Sequence, residues 1–284
     1  MELAGELQDA LQGALQKVPV FILAGGLGTR ISEETVLKPK PMIEIGEVPI
    51  LVHLMRWYHS FGFNDFVICG GYKSWEIKDY FLNYQFRQNN LCIDHRKDIQ
   101  SPPNFHGETY GHEKWRVRVV DTGLETMTGG RIARAYDVAA KTDAIENFAV
   151  TYGDGLADVN LGQEFGFHKK HGKMATMLGV KPTSRFGELD MDDSGLVRSF
   201  VEKPESKQAL INGGFFFFKN EFRKYLDTRQ DLILERAPLE KLVHDKQMMV
   251  YEHKGFWQCM DTLRDKTQLQ DIWDSGKAPW KATQ

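Results

Sequence analysis

The stretch that decides the fold is Phe21-Ile22-Leu23-Ala24-Gly25-Gly26-Leu27-Gly28-Thr29-Arg30, which is soon followed by Lys38-Pro39-Lys40-Pro41. An apolar run that ends abruptly in glycines indicates a buried strand that leads into a loop. Glycines let the backbone approach a ligand closely, and an arginine adds a rigid fork of donors that suits a phosphate. The two lysines add further positive charge. The stretch therefore predicts a polyphosphate site at the end of a strand.

Two common nucleotide motifs do not fit this glycine-rich loop. A P-loop requires Gly-Lys-Ser/Thr after four intervening residues, and the dinucleotide fingerprint requires a third glycine that is not in register here. A glycine-rich turn on its own is weak evidence, because glycines also serve ordinary turns. The lysines and the arginine therefore carry the phosphate hypothesis.

Strand-like and helix-like patterns alternate along the chain. Such alternation implies crossover connections and an α/β fold with a largely parallel sheet covered on both faces. The predicted strands are 20–24, 66–69, 117–120, 148–152, 175–180 and 249–252, and the predicted helices are 50–61, 75–84, 132–138, 161–171 and 263–273. Parallel sheets bind ligands at the carboxyl ends of their strands. Because Gly25-Gly26 and Gly153-Asp154-Gly155 both follow strands, we expect them in one crevice.

Bulk properties exclude several classes of protein. The 284 residues are enough for one large core, or for a core domain with an appendage. A formal net charge of −3 provides no basic field for nucleic acid. No apolar run approaches the roughly 18 residues of a membrane span, and the N-terminus does not resemble a secretory signal. Three widely separated cysteines without metal-site spacing predict reduced thiols, and we expect a soluble, cytoplasmic enzyme.

Motifs spread over residues 19–280 resemble those of the sugar-nucleotide pyrophosphorylases, a family of nucleotidylyltransferases. The quoted glycine-rich stretch and the Lys-Pro pattern match the family's signature. Further matches occur in the family's order at Val119–Gly123, Met127–Arg131, Thr151–Gly155, Glu202–Pro204, Ile211–Phe216 and Gly255–Asp265. The form of these motifs is similar to that of the subgroup that uses CTP and glucose 1-phosphate.

This resemblance implies a Rossmann-like nucleotidyltransferase fold with a mostly parallel mixed sheet flanked by helices and small β-hairpin appendages that bind sugar. Residues 18–284 would form a single domain, with a nucleotide-binding part at about 18–155 and a sugar-binding and closing part at about 156–284. Residues 1–17 show leucines at helical spacing and predict an N-terminal helical extension, with a packing or oligomer contact as the alternative. The polar stretch 85–115, which contains His95, Asn104, His106 and His112, predicts a surface excursion, a subunit contact or a lid rather than a zinc site.

The implied reaction transfers a cytidylyl group from CTP to α-D-glucose 1-phosphate and gives CDP-glucose and pyrophosphate. The resemblance implies that this product is used in the biosynthesis of deoxysugars and of the O-antigen polysaccharide of lipopolysaccharide. The implied catalytic residues are Arg30 and Lys40, with Lys38 as a weaker candidate. The implied nucleotide-binding residues are Leu23, Gly25, Gly26, Gly28, Thr29, Thr128, Gly129, Gly130 and Arg131. We expect residues 128–131 to form a turn whose accessible backbone groups read the base.

The carboxylates supply the implied metal site. The resemblance assigns Mg²⁺ to Asp154 and Asp261, although a turn role for Asp154 and a helix N-cap role for Asp261 are reasonable alternatives. Mg²⁺ prefers one or two protein carboxylates together with phosphate oxygens and waters. The implied substrate-binding residues on the sugar side are Tyr152, Glu202, Lys203, Asn212 and Gly213.

Other functions remain open at the level of sequence. The same reaction with another nucleotide or sugar phosphate, or a non-catalytic sugar-nucleotide sensor, would leave most of these motifs in place. A glycosyltransferase would normally hold its metal with an Asp-x-Asp pair, whereas Asp154 and Asp158 have a different spacing. The resemblance also implies a homo-oligomer, whereas the net charge and the absence of a long apolar run predict no nucleic acid or membrane partner.

Overall fold

A computed structural model describes residues 13–88, 91–92, 104–105, 113–181, 188–191, 196–201 and 210–282. The predicted site residues Glu202 and Lys203 lie outside the described residues, as do three histidines of the polar stretch, His95, His106 and His112. Within the described ranges, no helix combines the length and apolar character that a membrane crossing requires.

The described residues form the following strands and helices. The strands are β1 (Val20–Ala24), β2 (Glu44–Ile45), β3 (Val48–Pro49), β4 (Asp65–Gly70), β5 (Leu91–Cys92), β6 (Asn104–Phe105), β7 (Arg116–Asp121), β8 (Asn147–Tyr152), β9 (Gly155–Ala157), β10 (Ala175–Val180), β11 (Glu188–Met191), β12 (Val197–Val201), β13 (Ile211–Lys219), β14 (Met248–His253) and β15 (Trp257–Cys259). The α-helices are α1 (Ser32–Thr35), α2 (Ile50–Ser60), α3 (Ser74–Leu82), α4 (Tyr84–Gln88), α5 (Thr128–Ala139), α6 (Leu161–His171), α7 (Ala237–His244) and α8 (Leu263–Asp274).

Seven strands form the central sheet in the order β14-β10-β13-β8-β1-β4-β7. The pairs β8–β1, β1–β4, β4–β7 and β10–β14 are parallel, whereas β13 is antiparallel to both of its neighbours. The predicted mixed, mostly parallel sheet is therefore confirmed. The remaining strands form short antiparallel pairs, β2–β3, β5–β6, β9–β15 and β11–β12.

Side chains of β1 alternate between two hydrophobic cores, one on each face of the sheet. Ile22 packs in the core that includes α2, whereas Phe21 and Leu23 pack in the core that includes α5. This arrangement explains the unbroken apolar run of the first strand, because both faces of a parallel sheet are covered by helices. The glycines that follow the run leave the sheet at its carboxyl edge.

Three elements differ from the predicted bounds. The helix predicted over 75–84 is divided at Asn83 into α3 and α4. Helix α5 begins at Thr128, four residues before its predicted start, so residues 128–131 are a helix start and not a turn. The sequence after Asp192-Asp193-Ser194-Gly195 predicts the return strand of a hairpin over 196–202; the described residues contain this hairpin as the antiparallel pair β11–β12, with β12 at Val197–Val201, and Glu202 lies outside the described residues.

The described end of the N-terminal segment packs against the domain. Residues 13–15 are helical, and Leu15 and Val18 are only 2% and 3% exposed in the core that also contains Ile22. Full burial of a leucine side chain stabilises the folded state by about 1.5–3 kcal/mol relative to an exposed side chain. The part of the segment that the structure describes therefore packs against the domain.

Candidate active site

A cleft of about 570 Å³ lies at the carboxyl ends of β1 and β8. Most of the residues predicted for the nucleotide, the metal and catalysis line it, together with Tyr152 from the sugar side: Leu23, Gly25, Gly26, Gly28, Thr29, Arg30, Lys40, Thr128, Arg131, Tyr152, Asp154 and Asp261. Of the other predicted residues, Gly129, Gly130, Asn212 and Gly213 are described but do not line this cleft. The predicted meeting of the two glycine loops in one crevice is thus what the structure shows.

Lys40 joins the two aspartates at the floor of the cleft. Its Nζ donates to Asp154 Oδ2 at 2.5 Å and to Asp261 Oδ1 at 2.7 Å, and its side chain is 11% exposed. Burial alone would lower the pKa of Lys40, but the charges and hydrogen bonds of the two carboxylates raise the pKa above its ordinary value. Lys38 instead donates to Glu44 at 2.8 Å. The structure therefore places Lys40, and not Lys38, beside the acids.

Arg30 completes this charge cluster from the more exposed side. Its guanidinium donates to Asp261 Oδ2 at 2.8 Å. Burial would raise the pKa of Asp261, but the ammonium of Lys40 and the guanidinium of Arg30 hold that pKa below its usual value. Asp261 is thus an ionised carboxylate at neutral pH, with a cation on each of its oxygens.

A pairing of two short strands brings the two aspartates together. Gly155 of β9 lies opposite Cys259 of β15, and the N–H of Met260 donates to the carbonyl of Asp154 at 2.9 Å. These residues are more than one hundred positions apart in the chain, so the pairing joins the end of β8 to the segment before α8. Asp154 and Asp261 thereby flank one ammonium group.

The helix-cap alternative for Asp261 is wrong. The N-cap of α8 is Thr262, whose hydroxyl accepts from the N–H of Asp265, and Asp265 accepts from the Thr262 N–H in return. This capping box satisfies the helix start without the Asp261 carboxylate. The carboxylate is therefore available for other chemistry.

The donor set fits a magnesium ion bound together with a polyphosphate. Among the described residues, no group of three or more His, Cys, Asp or Glu side chains forms a metal cage. A pair of carboxylates is enough for Mg²⁺, which completes its octahedron with phosphate oxygens and waters. Asp154 and Asp261 meet this requirement, because one Lys40 ammonium already contacts both of them.

The loop after β1 presents backbone to the cleft. Gly28 has a left-handed φ of 65°, and a Cβ there would lie 2.7 Å from the Thr35 side chain. A Cβ at Gly26 would meet no described atom within 4 Å, so this glycine faces open space. The loop therefore has the tight turn and the exposed backbone that phosphate binding requires.

Arg131 shapes the loop from behind. Its guanidinium is buried and donates to the carbonyls of Gly25, Gly70, Gly123 and Leu124 at 2.7–3.2 Å and to the Thr122 hydroxyl at 2.8 Å. A Cβ at Gly25 would lie only 2.1 Å from this guanidinium, so Gly25 is required for the packing of Arg131. Burial lowers the pKa of Arg131 from its ordinary value.

The backbone of residues 129–130 is not accessible, contrary to the sequence prediction. The N–H groups of Gly129 and Gly130 both donate to the carbonyl of Leu232, at 2.9 and 3.1 Å. A Cβ on Gly130 would lie 2.2 Å from the Arg229 carbonyl oxygen, so close packing explains this glycine. These two glycines hold the start of α5 against residues 229–232.

On the sugar side, the polar atoms form a connected set. Tyr152 donates its hydroxyl proton to Glu235, and Asn212 Nδ2 approaches the same hydroxyl at 3.5 Å. Asn212 Oδ1 accepts from the Gly214 N–H at 2.8 Å, and the Gly213 carbonyl accepts from Trp257 Nε1 at 2.7 Å.

Glu235 belongs to this set although the sequence does not predict it. It lies in the connection before α7, where no motif or periodicity marks it. Its hydrogen bonds with Tyr152 and Thr128, which lie in distant parts of the chain, reveal it.

Comparison with known proteins identifies the family of this chain. The nucleotidyl transferase family model matches residues 19–273, and the chain belongs to this family. The glucose-1-phosphate cytidylyltransferases of Salmonella typhi and of Salmonella typhimurium are each 46% identical over 263 residues, covering 92% of this chain and 97% of the relative. The crystal structure of HddC from Yersinia pseudotuberculosis complexed with GMP-PN has a TM-score of 0.60 at 22% identity and covers 90% of this chain and 99% of that one. That likeness bears on the fold alone.

Proposed function

We propose that the protein transfers a cytidylyl group from CTP to α-D-glucose 1-phosphate, producing CDP-glucose and pyrophosphate. The observation that carries the proposal is the cluster in which Lys40 contacts both Asp154 and Asp261 beside a glycine-rich loop. The identity to two glucose-1-phosphate cytidylyltransferases favours this substrate pair over the other pairs used within the family.

The nucleophile needs no general base, because a sugar phosphate is already ionised at neutral pH. Its oxygen attacks the α-phosphorus of CTP, and pyrophosphate leaves. Catalysis then depends on positioning and on neutralisation of charge. The backbone around Gly26 would hold the triphosphate, and Arg30 and Lys40 would exchange their contacts with the acids for contacts with phosphate oxygens.

The metal site rests on the two acids. Asp154 and Asp261 would hold Mg²⁺, which supplies Lewis-acid stabilisation of phosphate charge when bound. Lys40 and Arg30 now neutralise these carboxylates, and Mg²⁺ would take over that role if the two cations turned to the phosphates. Tyr152 and Asn212 would orient the sugar, and the roles of Glu202, Lys203, Thr128 and Arg131 remain predictions.

The experiment that tests the proposal follows pyrophosphate release from the purified protein with Mg²⁺, glucose 1-phosphate and one of CTP, UTP, dTTP, GTP or ATP. We expect release with CTP, and loss of release when EDTA is added. Release with another nucleotide alone would overturn the base assignment. No release with any of the five would favour a different sugar phosphate or a non-catalytic sensor.

Asp154→Asn tests the metal assignment in the same assay. Because the amide loses the negative charge that binds Mg²⁺, we expect turnover to fall by at least about 100-fold, the size seen when one group that stabilises transition-state charge is removed. Asp271→Asn is the matched control, since Asp271 is exposed on α8 away from the cleft. Full Mg²⁺-dependent turnover in Asp154→Asn would remove Asp154 from the metal site.

The compartment and the assembly state are part of the proposal. Cys69 and Cys259, the two cysteines whose side chains are described, are free thiols, which favours a reducing compartment such as the cytoplasm. A homo-oligomer and a role in polysaccharide biosynthesis remain predictions from the family resemblance.

A further inference from the structure

Glu235 lies behind the cleft wall and touches both sides of the site. Its carboxylate accepts the hydroxyl proton of Tyr152 on one oxygen and that of Thr128, at 2.7 Å, on the other. Tyr152 lies on the predicted sugar side, whereas Thr128 is the first residue of α5 on the predicted nucleotide side. A single half-buried carboxylate therefore connects two walls that the sequence places in separate motifs.

The position of the Glu235 carboxylate is fixed by its own backbone segment. The N–H of Leu234 donates to the Thr128 hydroxyl at 2.9 Å, which directs the hydroxyl proton toward Glu235. The N–H groups of Gly129 and Gly130 both donate to the carbonyl of Leu232, three residues before Glu235. The segment before α7 is thereby attached to the start of α5 at several points, and the carboxylate has little freedom to move.

The carboxylate also sets the direction of the hydrogen bonds beyond Tyr152. Because the hydroxyl proton of Tyr152 is given to Glu235, the tyrosine oxygen offers only lone pairs to its other side. Asn212 Nδ2 faces that oxygen, and Asn212 Oδ1 accepts from the Gly214 N–H. Both contacts favour the same orientation of the Asn212 amide, and the contact with Tyr152 is available only while the tyrosine proton points toward Glu235.

We propose that Glu235 is a positioning residue for the sugar 1-phosphate, acting through Tyr152 and Asn212, and that it ties this subsite to the start of α5. The inference rests on the proposed function. A glutamine at position 235 would present an amide N–H to one of two hydroxyls that both donate. One of the two contacts would then be lost, and Tyr152 would be free to turn its proton toward Asn212.

The test is steady-state kinetics of Glu235→Gln with each substrate varied in turn. We expect KM for glucose 1-phosphate to rise about tenfold, the equivalent of one hydrogen bond to a charged group, and KM for CTP to change less than about twofold. Glu240→Gln makes the same chemical change on an exposed residue of α7 and should leave both KM values as in the wild type. Glu235→Asp keeps the charge and should recover part of the loss.

A double-mutant cycle with Tyr152→Phe separates positioning from a general structural effect. If Glu235 acts through Tyr152, the rise in the sugar-phosphate KM in the double variant will be smaller than the product of the two single effects. Multiplicative effects, or an equal rise in both KM values, would overturn the positioning role while wild-type turnover still supports the proposed function. If the wild-type protein releases no pyrophosphate from CTP and glucose 1-phosphate, the proposed function fails, and the positioning role fails with it.

Discussion

The pKa values of two acids of this protein are shifted in opposite directions because their surroundings differ. Asp261 is half-buried between Lys40 and Arg30, and these cations hold its pKa below the usual value. Glu164 on α6 is fully buried, and neither of its carboxylate oxygens has a hydrogen-bond partner among the described residues. Burial raises the pKa of Glu164 well above 4.5. Asp261 is thus kept ionised by the neighbouring cations, whereas burial in the core keeps Glu164 neutral.

The state of Glu164 makes the stability of the protein depend on pH. The folded chain keeps the Glu164 proton above pH 4.5, where the unfolded chain has released it. The stability that Glu164 contributes is therefore fully present below that pH and is lost as pH rises through the raised folded-state pKa.

Glu164→Gln should abolish this pH dependence. We expect the variant and the wild type to have similar free energies of unfolding at pH 5, and the variant to be more stable by about 1 kcal/mol or more at pH 8, since one pKa unit corresponds to about 1.4 kcal/mol. Urea unfolding at the two pH values measures the difference. Glu221→Gln, an exposed change, should show no such trend. A constant difference at both pH values would mean that Glu164 is not neutral in the folded state.

Helix α5 shows how a tertiary contact can override local preference. Two glycines in its first turn favour a turn, since glycine is a poor helix former. The structure continues the helix through them, because the segment 229–232 packs where their side chains would otherwise lie and its Leu232 carbonyl accepts their N–H groups. The sequence could not reveal this, because the partner segment lies about one hundred residues further along the chain.

Gly130→Ala should therefore destabilise the protein, although such a change in a helix normally stabilises it. The new Cβ would lie 2.2 Å from the Arg229 carbonyl oxygen, and we expect a loss of about 1–3 kcal/mol from the resulting shift of backbone. Gly166→Ala on α6 is the matched control, because a Cβ there would meet no described atom within 4 Å. That variant should gain about 0.5–1 kcal/mol. Chemical denaturation measures the free energy of unfolding of both variants. An increase in both would mean that the 229–232 segment moves at little energetic cost to accommodate the new methyl group.

At the scale of the whole molecule, the parts that could be predicted are those that local patterns encode. The strand 20–24 follows from its apolar run, and the cleft follows from the rule that ligands bind at the carboxyl edge of a parallel sheet. The antiparallel insertion of β13 and the β9–β15 pairing could not be predicted, because they join segments that are distant in the chain. The contacts of Glu235 could not be predicted for the same reason, because they form only when the fold brings Tyr152 of β8 and Thr128 of α5 beside it.

The N-terminal segment is attached to the core of the domain through Leu15. Its side chain is 2% exposed and shares a core with Ile22 of the first strand and with helix α2. Leu15→Ala would remove buried methyl groups and leave a cavity, so we expect the free energy of unfolding to fall by about 2–3 kcal/mol. Leu37→Ala makes the same change at a side chain that is 77% exposed and should alter stability by less than about 0.5 kcal/mol. Urea denaturation of the two variants measures the contrast, and equal stabilities would show that the segment contributes nothing to the core. A large loss for Leu15→Ala would place the start of the folded domain before β1, rather than at residue 18.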